Sequence, residues 1–315
     1  MDKPDNKTIA VIGCGTMGHS IALNAAWAGL SVKLYGINEN LLATATQSIA
    51  QKLQLLCEHQ LINKEEINAI SNFIETTVSI EEASAKANFI IEATPENVSL
   101  KKEIFAKIES NCATDVIIAS STSGLDPNKL ANSMKNPERF IVLHFWNPAH
   151  LIPLVEVAVC DKTNKMTIAK ASSLLQTMKK KAVFLKKNVP GFIANRLQFA
   201  LLREAQYLFE EGVASKEDID AAVNYSIARR LTCTGPLLSA DMGGLDVYAS
   251  ISNYLIKDLC VAKQPASSLT QLVSENKLGQ KNGRGYYEWS KEFSASMNEK
   301  REEELIRFLK KDTNL

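Results

Sequence analysis

The sequence lacks the cysteine, histidine and apolar patterns that indicate a metal centre, a disulfide framework or a membrane span. Its six cysteines (positions 14, 57, 112, 160, 233 and 260) form no CxxC pair, and no cysteine–histidine spacing fits a metal site. We therefore expect reduced thiols, no metal and a cytoplasmic location. No segment is long and apolar enough to cross a bilayer, and the N-terminus has no signal-peptide pattern.

Neither sign of charge is in excess, because 36 Lys and Arg residues face 35 Asp and Glu residues and leave a net charge of +1. A balanced charge provides no basic surface for nucleic acid or for an anionic membrane, so we expect neither partner. The chain has 315 residues and 45% hydrophobic residues, which is ordinary for a two-domain globular protein.

The pattern of apolar residues divides the chain into two parts. In the first part, short β-branched runs alternate with helical patterns, which predicts a doubly wound, Rossmann-type parallel sheet of the α/β class. The strand-like runs are 7–13, 31–36, 87–94, 115–120, 139–145 and 151–157. After "KKNVPGFIANR" (186–196) helical patterns dominate, at 191–211, 215–228, 244–261 and 266–276. We predict a dinucleotide-binding domain over 1–188 and an all-helical domain over 189–315.

A glycine array follows the first predicted strand. In "VIGCGTMG", Gly13, Gly15 and Gly18 form G-x-G-x-x-G between a strand and a helix, the context in which this array binds a dinucleotide pyrophosphate. The intervening residues predicted to border the cofactor are Cys14, Thr16 and Met17.

The end of the second strand is less regular. It reads "KLYG", so Gly36 stands where a ribose-binding acid is usual, and Asn38 and Glu39 are the nearby candidates. We favour NAD, because no arginine for a 2′-phosphate lies nearby, but NADP stays open.

A histidine and a glutamate lie in two apolar runs joined by a proline-bracketed loop, "HFWNPAHLIPLVEV". If the second run folds back along the first, His144 and Glu156 lie opposite each other, and the carboxylate would orient and stabilise the imidazole. His144 would then act as a general base for an alcohol or as an acid for a carbonyl. A core histidine with a hydrogen-bonding partner is the alternative reading.

Two further segments supply polar groups that the same chemistry needs. Ser123 follows the strand 115–120 at the edge of the sheet where such folds bind ligands, although a helix-capping role is equally open. Asn195, in "PGFIANR", is an amide in an apolar helical run, and a core hydrogen bond is its alternative role.

These motifs, in this order, resemble the L-3-hydroxyacyl-CoA dehydrogenase family over nearly the whole chain. The segments that carry the resemblance are "GCGTMG" (13–18), "IEATPENVSLKKEIF" (91–105), "SSTSGL" (120–125), "HFWNP" (144–148), "LVEV" (154–157), "PGFIANR" (190–196), "EEGVASKEDIDAAV" (210–223), "TGPLLSADMGGLD" (234–246) and "KNGRGYYEW" (281–289).

The resemblance implies specific roles. His144 would be the catalytic base and Glu156 its orienting partner, while Ser123 and Asn195 would hold the reacting oxygen of the substrate. Asn147 would line the nicotinamide site. The positions that match further NAD contacts of the family are Glu96, Lys101 and Lys281. The resemblance also implies a homodimer, formed through the helical domain, and a 3-hydroxyacyl-CoA substrate of short chain length.

The match departs from the family pattern at several places. Gly36 replaces an Asp, and Ser121 and Gly124 replace residues of "NTSS". The family carries a basic residue on the long helix that contacts CoA. Leu55 aligns near that position in this chain, and Lys52 is the only basic residue nearby.

Other segments are similar to a side branch of the family that includes carnitine dehydrogenase and the gulonate dehydrogenase/lambda-crystallin proteins. These segments are "HLIPLVEV", "RLQFALLREA" and "RRLTCTGP". A free 3-hydroxy acid, which Arg229 and Arg230 would suit as cations, is therefore an alternative substrate, and a solvated helix end is the favoured reading of these two arginines. A non-catalytic, crystallin-like dinucleotide-binding protein is the second alternative.

Overall fold

An eight-stranded sheet forms the centre of the first part of the chain. The structure is a computed structural model and describes residues 7–313. The strands are β1 (Thr8–Ile12), β2 (Ser31–Tyr35), β3 (Ile74–Thr77), β4 (Phe89–Glu92), β5 (Ile117–Ser120), β6 (Phe140–Phe145), β7 (Leu154–Val159) and β8 (Lys181–Phe184). They lie in the order β3-β2-β1-β4-β5-β6-β7-β8. The pairs from β1 to β6 are all parallel, which confirms the predicted doubly wound sheet.

The sheet changes direction at β7. Strand β7 is antiparallel to β6, and the register sets His144 opposite Glu156. Strand β8, which the sequence analysis did not predict, pairs in parallel with β7 at the edge of the sheet. The other edge strand, β3, was also not predicted, because "IETT" has no apolar run.

Both faces of the sheet are covered, as the apolar strands predict. Along β1, Ile9 and Val11 belong to one core cluster, and Ala10 and Ile12 belong to another. Because neighbouring side chains of a strand point to opposite faces, the two clusters lie on the two sides of the sheet.

The helices of this part are α1 (Thr16–Trp27), α2 (Glu39–Glu58), α3 (Lys64–Ser71), α4 (Ile80–Ala85), α5 (Val98–Asn111), α6 (Pro127–Ala131) and α7 (Lys165–Thr177). Most begin at a polar side chain that accepts a backbone N–H: Asn38 caps α2 and Asn97 caps α5 in this way. Helix α1 is different, because its N-cap is Gly15 and no side chain caps it. Its first amide groups therefore need another partner.

The rest of the chain is helical, as predicted. Its helices are α8 (Ala194–Glu210), α9 (Lys216–Asn224), α10 (Ile227–Leu231), α11 (Pro236–Gly243), α12 (Leu245–Leu255), α13 (Ser267–Ser274) and α14 (Lys291–Thr313). The predicted helix 215–228 is in fact the pair α9 and α10. Helices α11 and α14 were not predicted. Within residues 7–313, none of the helices combines the length and the apolar character needed to span a membrane.

Two compact units divide the chain. The first runs to Asn195 and includes the chain from Arg301 onward, and the second is Arg196–Lys300. Helix α14 therefore begins in the second unit and ends in the first, where Ile306 joins the core cluster of α1 and α2. The domain boundary at 188/189 stays a prediction. The contacts divide the chain at Asn195, and the last turns of α14 belong to the first unit.

Candidate active site

A buried histidine–glutamate pair joins β6 and β7. His144 Nδ1 lies 2.8 Å from Glu156 Oε2. His144 is 5% exposed to solvent and Glu156 is 1% exposed. The pair forms because the antiparallel register sets the two residues directly opposite on one face of the sheet.

Four donors surround the carboxylate of Glu156. Besides His144, the indole of Trp146 donates to Oε2 at 3.2 Å. The backbone N–H groups of Ile193 and Ala194 donate to Oε1 at 2.8 and 3.0 Å. Burial alone would raise the pKa of Glu156, but these donors together outweigh burial and hold the pKa below its usual value. The carboxylate is therefore ionised and fixed in place.

The imidazole of His144 lies between two aromatic rings. Its centroid is 5.5 Å from that of Phe192 and 5.7 Å from that of Trp146. Because a carboxylate accepts hydrogen bonds, Nδ1 carries the hydrogen that faces Glu156. Among residues 7–313, Nε2 makes no hydrogen bond that competes with a ligand. The neutral imidazole can therefore accept a proton at Nε2.

Ser123 and Asn195 are connected to this pair through a short segment, residues 192–195. The Asn195 amide donates to the backbone carbonyl of Ser123 at 3.2 Å. Phe192 contacts the His144 ring, and Ala194 donates to Glu156. The structure thus brings the four predicted catalytic residues together, and the Ser123 side chain is exposed.

Glu96 holds the loop that carries Ser123. Its Oε1 accepts the Ser123 backbone N–H at 2.9 Å, and it also accepts the hydroxyl of Thr122. This exposed glutamate was predicted to contact NAD. In the structure it shapes the serine loop, and its contact with the cofactor stays a prediction.

The glycine array has the shape that a pyrophosphate needs. Gly13 has a φ of 114°, which an L side chain rarely adopts, and a Cβ at Gly18 would lie 1.7 Å from the Gly13 carbonyl oxygen. A Cβ at Gly15 would meet no atom within 4 Å, so open space lies beside the uncapped start of α1. Free amides at a helix N-terminus bind anionic phosphate, so the residues present fit NAD.

Gly36 is enclosed by its neighbours rather than open. A Cβ there would lie 2.7 Å from both Cys14 Sγ and Leu42 Cγ, so an acid at this position would require these two side chains to shift. Asn38 uses its Oδ1 to cap α2 at Leu41, which leaves its Nδ2 as the donor that could meet a ribose hydroxyl.

A buried carboxylate that the sequence analysis missed lies at the end of β4. Glu92 is fully buried and accepts Lys101 Nζ at 2.7 Å and Ser120 Oγ at 2.6 Å. Lys101 also donates to the carbonyl of Thr94 at 3.0 Å and lies 3.6 Å from Glu96. Its ammonium therefore joins the ends of β4 and β5 to the Glu96 loop, and its predicted contact with NAD stays a prediction. The sequence signal for Glu92 was a charged residue at the end of the apolar run "FIIE".

Two predicted cofactor residues remain. Asn147 is exposed in the loop after His144. Lys281 is exposed in the second compact unit. Neither has a described contact with the histidine–glutamate pair, and both roles stay predictions.

Sequence profiles match both parts of the chain. The profile described as "3-hydroxyacyl-CoA dehydrogenase, NAD binding domain" matches residues 8–189. The profile described as "3-hydroxyacyl-CoA dehydrogenase, C-terminal domain" matches residues 191–289. All of α14 lies beyond the second match.

Relatives of two kinds align with nearly the whole chain. The 5-formyl-3-hydroxy-2-methylpyridine 4-carboxylate 5-dehydrogenase of Mesorhizobium japonicum is 34% identical over 302 residues, which are 95% of this chain and 96% of that one. The probable 3-hydroxybutyryl-CoA dehydrogenase of Bacillus subtilis is 34% identical over 289 residues, 91% of this chain and 99% of that one.

Solved structures also fall into these two kinds. The crystal structure of a 5-formyl-3-hydroxy-2-methylpyridine 4-carboxylic acid 5-dehydrogenase, described as an NAD⁺-dependent dismutase, has a TM-score of 0.90 at 32% identity and covers 98% of this chain and 99% of its own. The (S)-3-hydroxybutyryl-CoA dehydrogenase of Ralstonia eutropha has a TM-score of 0.74 at 31% identity and covers 91% of this chain and 100% of its own.

Proposed function

The chain belongs to the NAD-dependent 3-hydroxyacyl-CoA dehydrogenase family, and we propose that it interconverts a 3-hydroxyl and a 3-keto group. In this proposal His144 is the general base and Glu156 is its orienting partner. The observation that carries this proposal is the 2.8 Å contact between His144 Nδ1 and Glu156 Oε2, which leaves Nε2 for the substrate.

The chemistry follows from these atoms. In the oxidation, the substrate hydroxyl gives its proton to His144 Nε2 as the C–H bond breaks, and the ionised Glu156 stabilises the imidazolium that forms. NAD held at the glycine array would supply the hydride acceptor, so the alcohol would lose one proton and one hydride and become a ketone. In the reverse direction, protonated His144 donates to the developing alkoxide.

Ser123 and Asn195 complete the proposed site. The exposed hydroxyl of Ser123 is available to donate to the reacting oxygen, because Glu96 and Asn195 hold the loop through its backbone and leave that hydroxyl unused. Asn195 donates one amide hydrogen to Ser123 and keeps its amide oxygen for the substrate. Glu96, Lys101, Asn147 and Lys281 are the proposed further contacts of NAD.

A short-chain CoA thioester is the first candidate substrate. It is the substrate class in the names of both profiles and of the Bacillus subtilis relative.

A free hydroxy acid is the second candidate, and the C-terminal helix favours it. The pyridine-carboxylate dehydrogenase structure covers 98% of this chain, against 91% for the hydroxybutyryl-CoA enzyme. In addition, Lys52, the base nearest the expected CoA position, is half-buried beside Glu302 of α14. Burial lowers the pKa of Lys52, and Glu302 offsets this in part. Such a lysine is a poor partner for a CoA phosphate.

The second unit supports a homodimer. Several large apolar side chains in Arg196–Lys300 are exposed, among them Leu237 at 84% and Val261 at 80%. Apolar surface of this extent marks an interface. Sedimentation analysis of the purified protein tests this part of the proposal, and a monomer at micromolar concentration would contradict it.

The experiment that tests the activity is oxidation of NADH, and separately of NADPH, with acetoacetyl-CoA, free acetoacetate and dehydrocarnitine. Turnover with acetoacetyl-CoA alone would select the thioester. Turnover with a free acid alone would select the second candidate. No turnover with any of them, together with tight NADH binding, would contradict the dehydrogenase proposal for these substrates and favour the non-catalytic alternative.

A further inference from the structure

The indole of Trp146 contacts both members of the histidine–glutamate pair. Trp146 is half-buried and follows the end of β6, two residues after His144. Its Nε1 donates to Glu156 Oε2 at 3.2 Å, and its ring centroid lies 5.7 Å from that of His144. Side chains two residues apart in an extended segment point to the same side, which is why the indole and the imidazole meet the same carboxylate.

The two oxygens of this carboxylate have different donors. Oε1 accepts the backbone N–H groups of Ile193 and Ala194. Oε2 faces His144 Nδ1 at 2.8 Å and also accepts the indole N–H. A carboxylate oxygen can accept two hydrogen bonds, so the indole does not displace the imidazole but shares its acceptor.

This sharing changes how strongly Glu156 attracts a protonated His144. An imidazolium is stabilised by the negative charge on the oxygen that it faces. The indole N–H draws on the same charge, and Glu156 is 1% exposed, so little water screens the effect. A neutral imidazole depends on that charge much less. The indole therefore disfavours the protonated ring relative to the neutral one.

The groups that face the pair from neighbouring elements carry no charge. Val183 of β8 lies opposite Glu156 in the sheet, and the Phe192 ring lies 5.5 Å from the imidazole, centroid to centroid. Within residues 7–313, the ion pair with His144 is the one that Glu156 makes. Trp146 is thus the side chain whose removal would change the charge on Oε2 without changing any other contact of the pair.

We propose that Trp146 is a positioning residue that determines the pH range over which His144 is an unprotonated base. The proposal rests on the proposed function, because it needs His144 to be the base. By sharing Oε2, the indole weakens the hold of Glu156 on the imidazolium, so His144 is free to accept the substrate proton at a lower pH. The same N–H anchors Oε2, so the carboxylate keeps its orientation while the imidazolium forms.

The first test is the pH dependence of ketone reduction in Trp146→Phe, which keeps an aromatic ring beside His144 and removes the donor. Reduction needs protonated His144, so kcat/KM with NADH falls as the pH rises through the point at which the ring loses its proton. In the variant this fall should move to higher pH by about half a unit to one unit, which is about a three- to tenfold rise in proton affinity. The substrate is whichever of acetoacetyl-CoA, acetoacetate and dehydrocarnitine the wild type reduces. An unchanged midpoint in an active variant would overturn the proposal.

A second readout needs no substrate. The chain has four histidines, and the ring ¹⁵N chemical shifts of each report its protonation. The signal of His144 is the one missing in His144→Gln. Its titration midpoint should rise in Trp146→Phe by the same amount, while that of His59 stays unchanged. Equal His144 midpoints in the wild type and the variant would overturn the proposal.

Two matched controls locate the effect. Trp289→Phe removes an indole that lies in the second unit beside Phe293, and should leave the His144 midpoint where it is. In a Glu156→Gln background the charge that the two donors share is gone, so adding Trp146→Phe should produce no further shift. A shift of full size in that background would show that the indole acts through ring contact and would overturn the role of Oε2.

The two readouts separate this proposal from the dehydrogenase proposal. Turnover that depends on His144, with equal midpoints in the wild type and Trp146→Phe, would overturn the role of Trp146 and leave the dehydrogenase proposal standing. A raised midpoint in a protein that reduces none of the three substrates would contradict the dehydrogenase proposal alone, since the indole would still govern the protonation of His144.

Discussion

In the first compact unit, strands β4, β5 and β6 are buried along their whole length. In the second unit, Arg196–Lys300, the one buried apolar residue is Ile219, which is 9% exposed. The first unit surrounds its sheet with helices on both faces. The helices of the second unit leave much of their apolar surface exposed, including Met242 at 74%. In the proposed homodimer, a partner would cover the exposed apolar surface of the second unit.

The site residues follow this division. His144, Glu156, Ser123 and Asn195 are held by contacts inside the first unit. The proposed chemistry thus resides in the unit with the buried sheet, and the proposed association resides in the other unit. Each of the following changes tests one side of this comparison.

The largest effect is expected from His144→Gln, which removes the proton acceptor. A general base contributes about 10²–10⁴-fold to the rate, so kcat should fall by about 10³-fold. The Kd of NADH, measured by fluorescence, should change by less than about twofold, because the base does not form the pyrophosphate site.

The control for this change is His59→Gln, which alters a histidine outside the site. It should leave kcat and the Kd of NADH unchanged. Wild-type turnover in His144→Gln would exclude the proposed base.

The next effect concerns the second unit. Leu237→Glu places a charge in the exposed apolar surface of α11. Loss of a central apolar contact costs about 3 kcal/mol of binding free energy, so the dissociation constant of the homodimer should rise by about 100-fold. Sedimentation velocity across protein concentrations measures this. Lys263→Glu reverses the charge at an exposed polar position of the same unit and should leave the dimer intact. If both variants remain dimeric at low concentration, the exposed surface of α11 is not the interface.

Sequence reasoning predicted the strands whose apolar runs are long and missed the edges of the sheet. Strand β3 is half exposed, and β8 follows a lysine-rich segment, so neither shows the buried pattern that identifies a strand. Helix α14 was missed because its polar sequence has only a few core positions, such as Ile306, that pack on the first unit.

The site shows the same limit. His144 and Glu156 were predictable as a pair, since a short loop joins their strands and fixes the register. The contact of Ser20 with His150 spans 130 residues, and nothing local in either segment indicates it. Glu92 and Lys101 were not recognised as a buried pair, because a charge at the end of the run "FIIE" does not show which cation tertiary packing sets beside it.

Two glycines, one in each unit, differ in how closely their neighbours approach. Gly36→Ala in the first unit would bring a Cβ to 2.7 Å from Cys14 Sγ and Leu42 Cγ, and should lower the free energy of unfolding by about 2 kcal/mol through overpacking. Gly235→Ala in the second unit meets no atom within 4 Å, and should cost less than about 1 kcal/mol, mainly as a poorer helix cap. Urea unfolding of both variants measures the difference. Equal costs would mean that Cys14 and Leu42 move aside freely.

The smallest effect is the acid dependence of stability, and it separates a buried glutamate from an exposed one. Hydrogen bonds hold the pKa of Glu156 below its usual value against the effect of burial. A carboxyl group whose pKa is lower in the folded protein contributes stability above the pKa of the unfolded chain, and loses it as the pH falls through the folded pKa. In Glu156→Gln this contribution is absent, so the wild type should lose more stability than the variant between about pH 5 and pH 3.

Glu210 in the second unit provides the matched case. Its pKa is also lowered, chiefly by hydrogen bonds from Ser268, but it is exposed to solvent. Solvent screens such a group, so Glu210→Gln should follow the wild-type acid profile closely. Urea unfolding at a series of pH values compares the three proteins. A Glu156→Gln profile parallel to that of the wild type would show that its four donors do not favour the ionised carboxylate, and the orienting role of Glu156 would then lose its electrostatic basis.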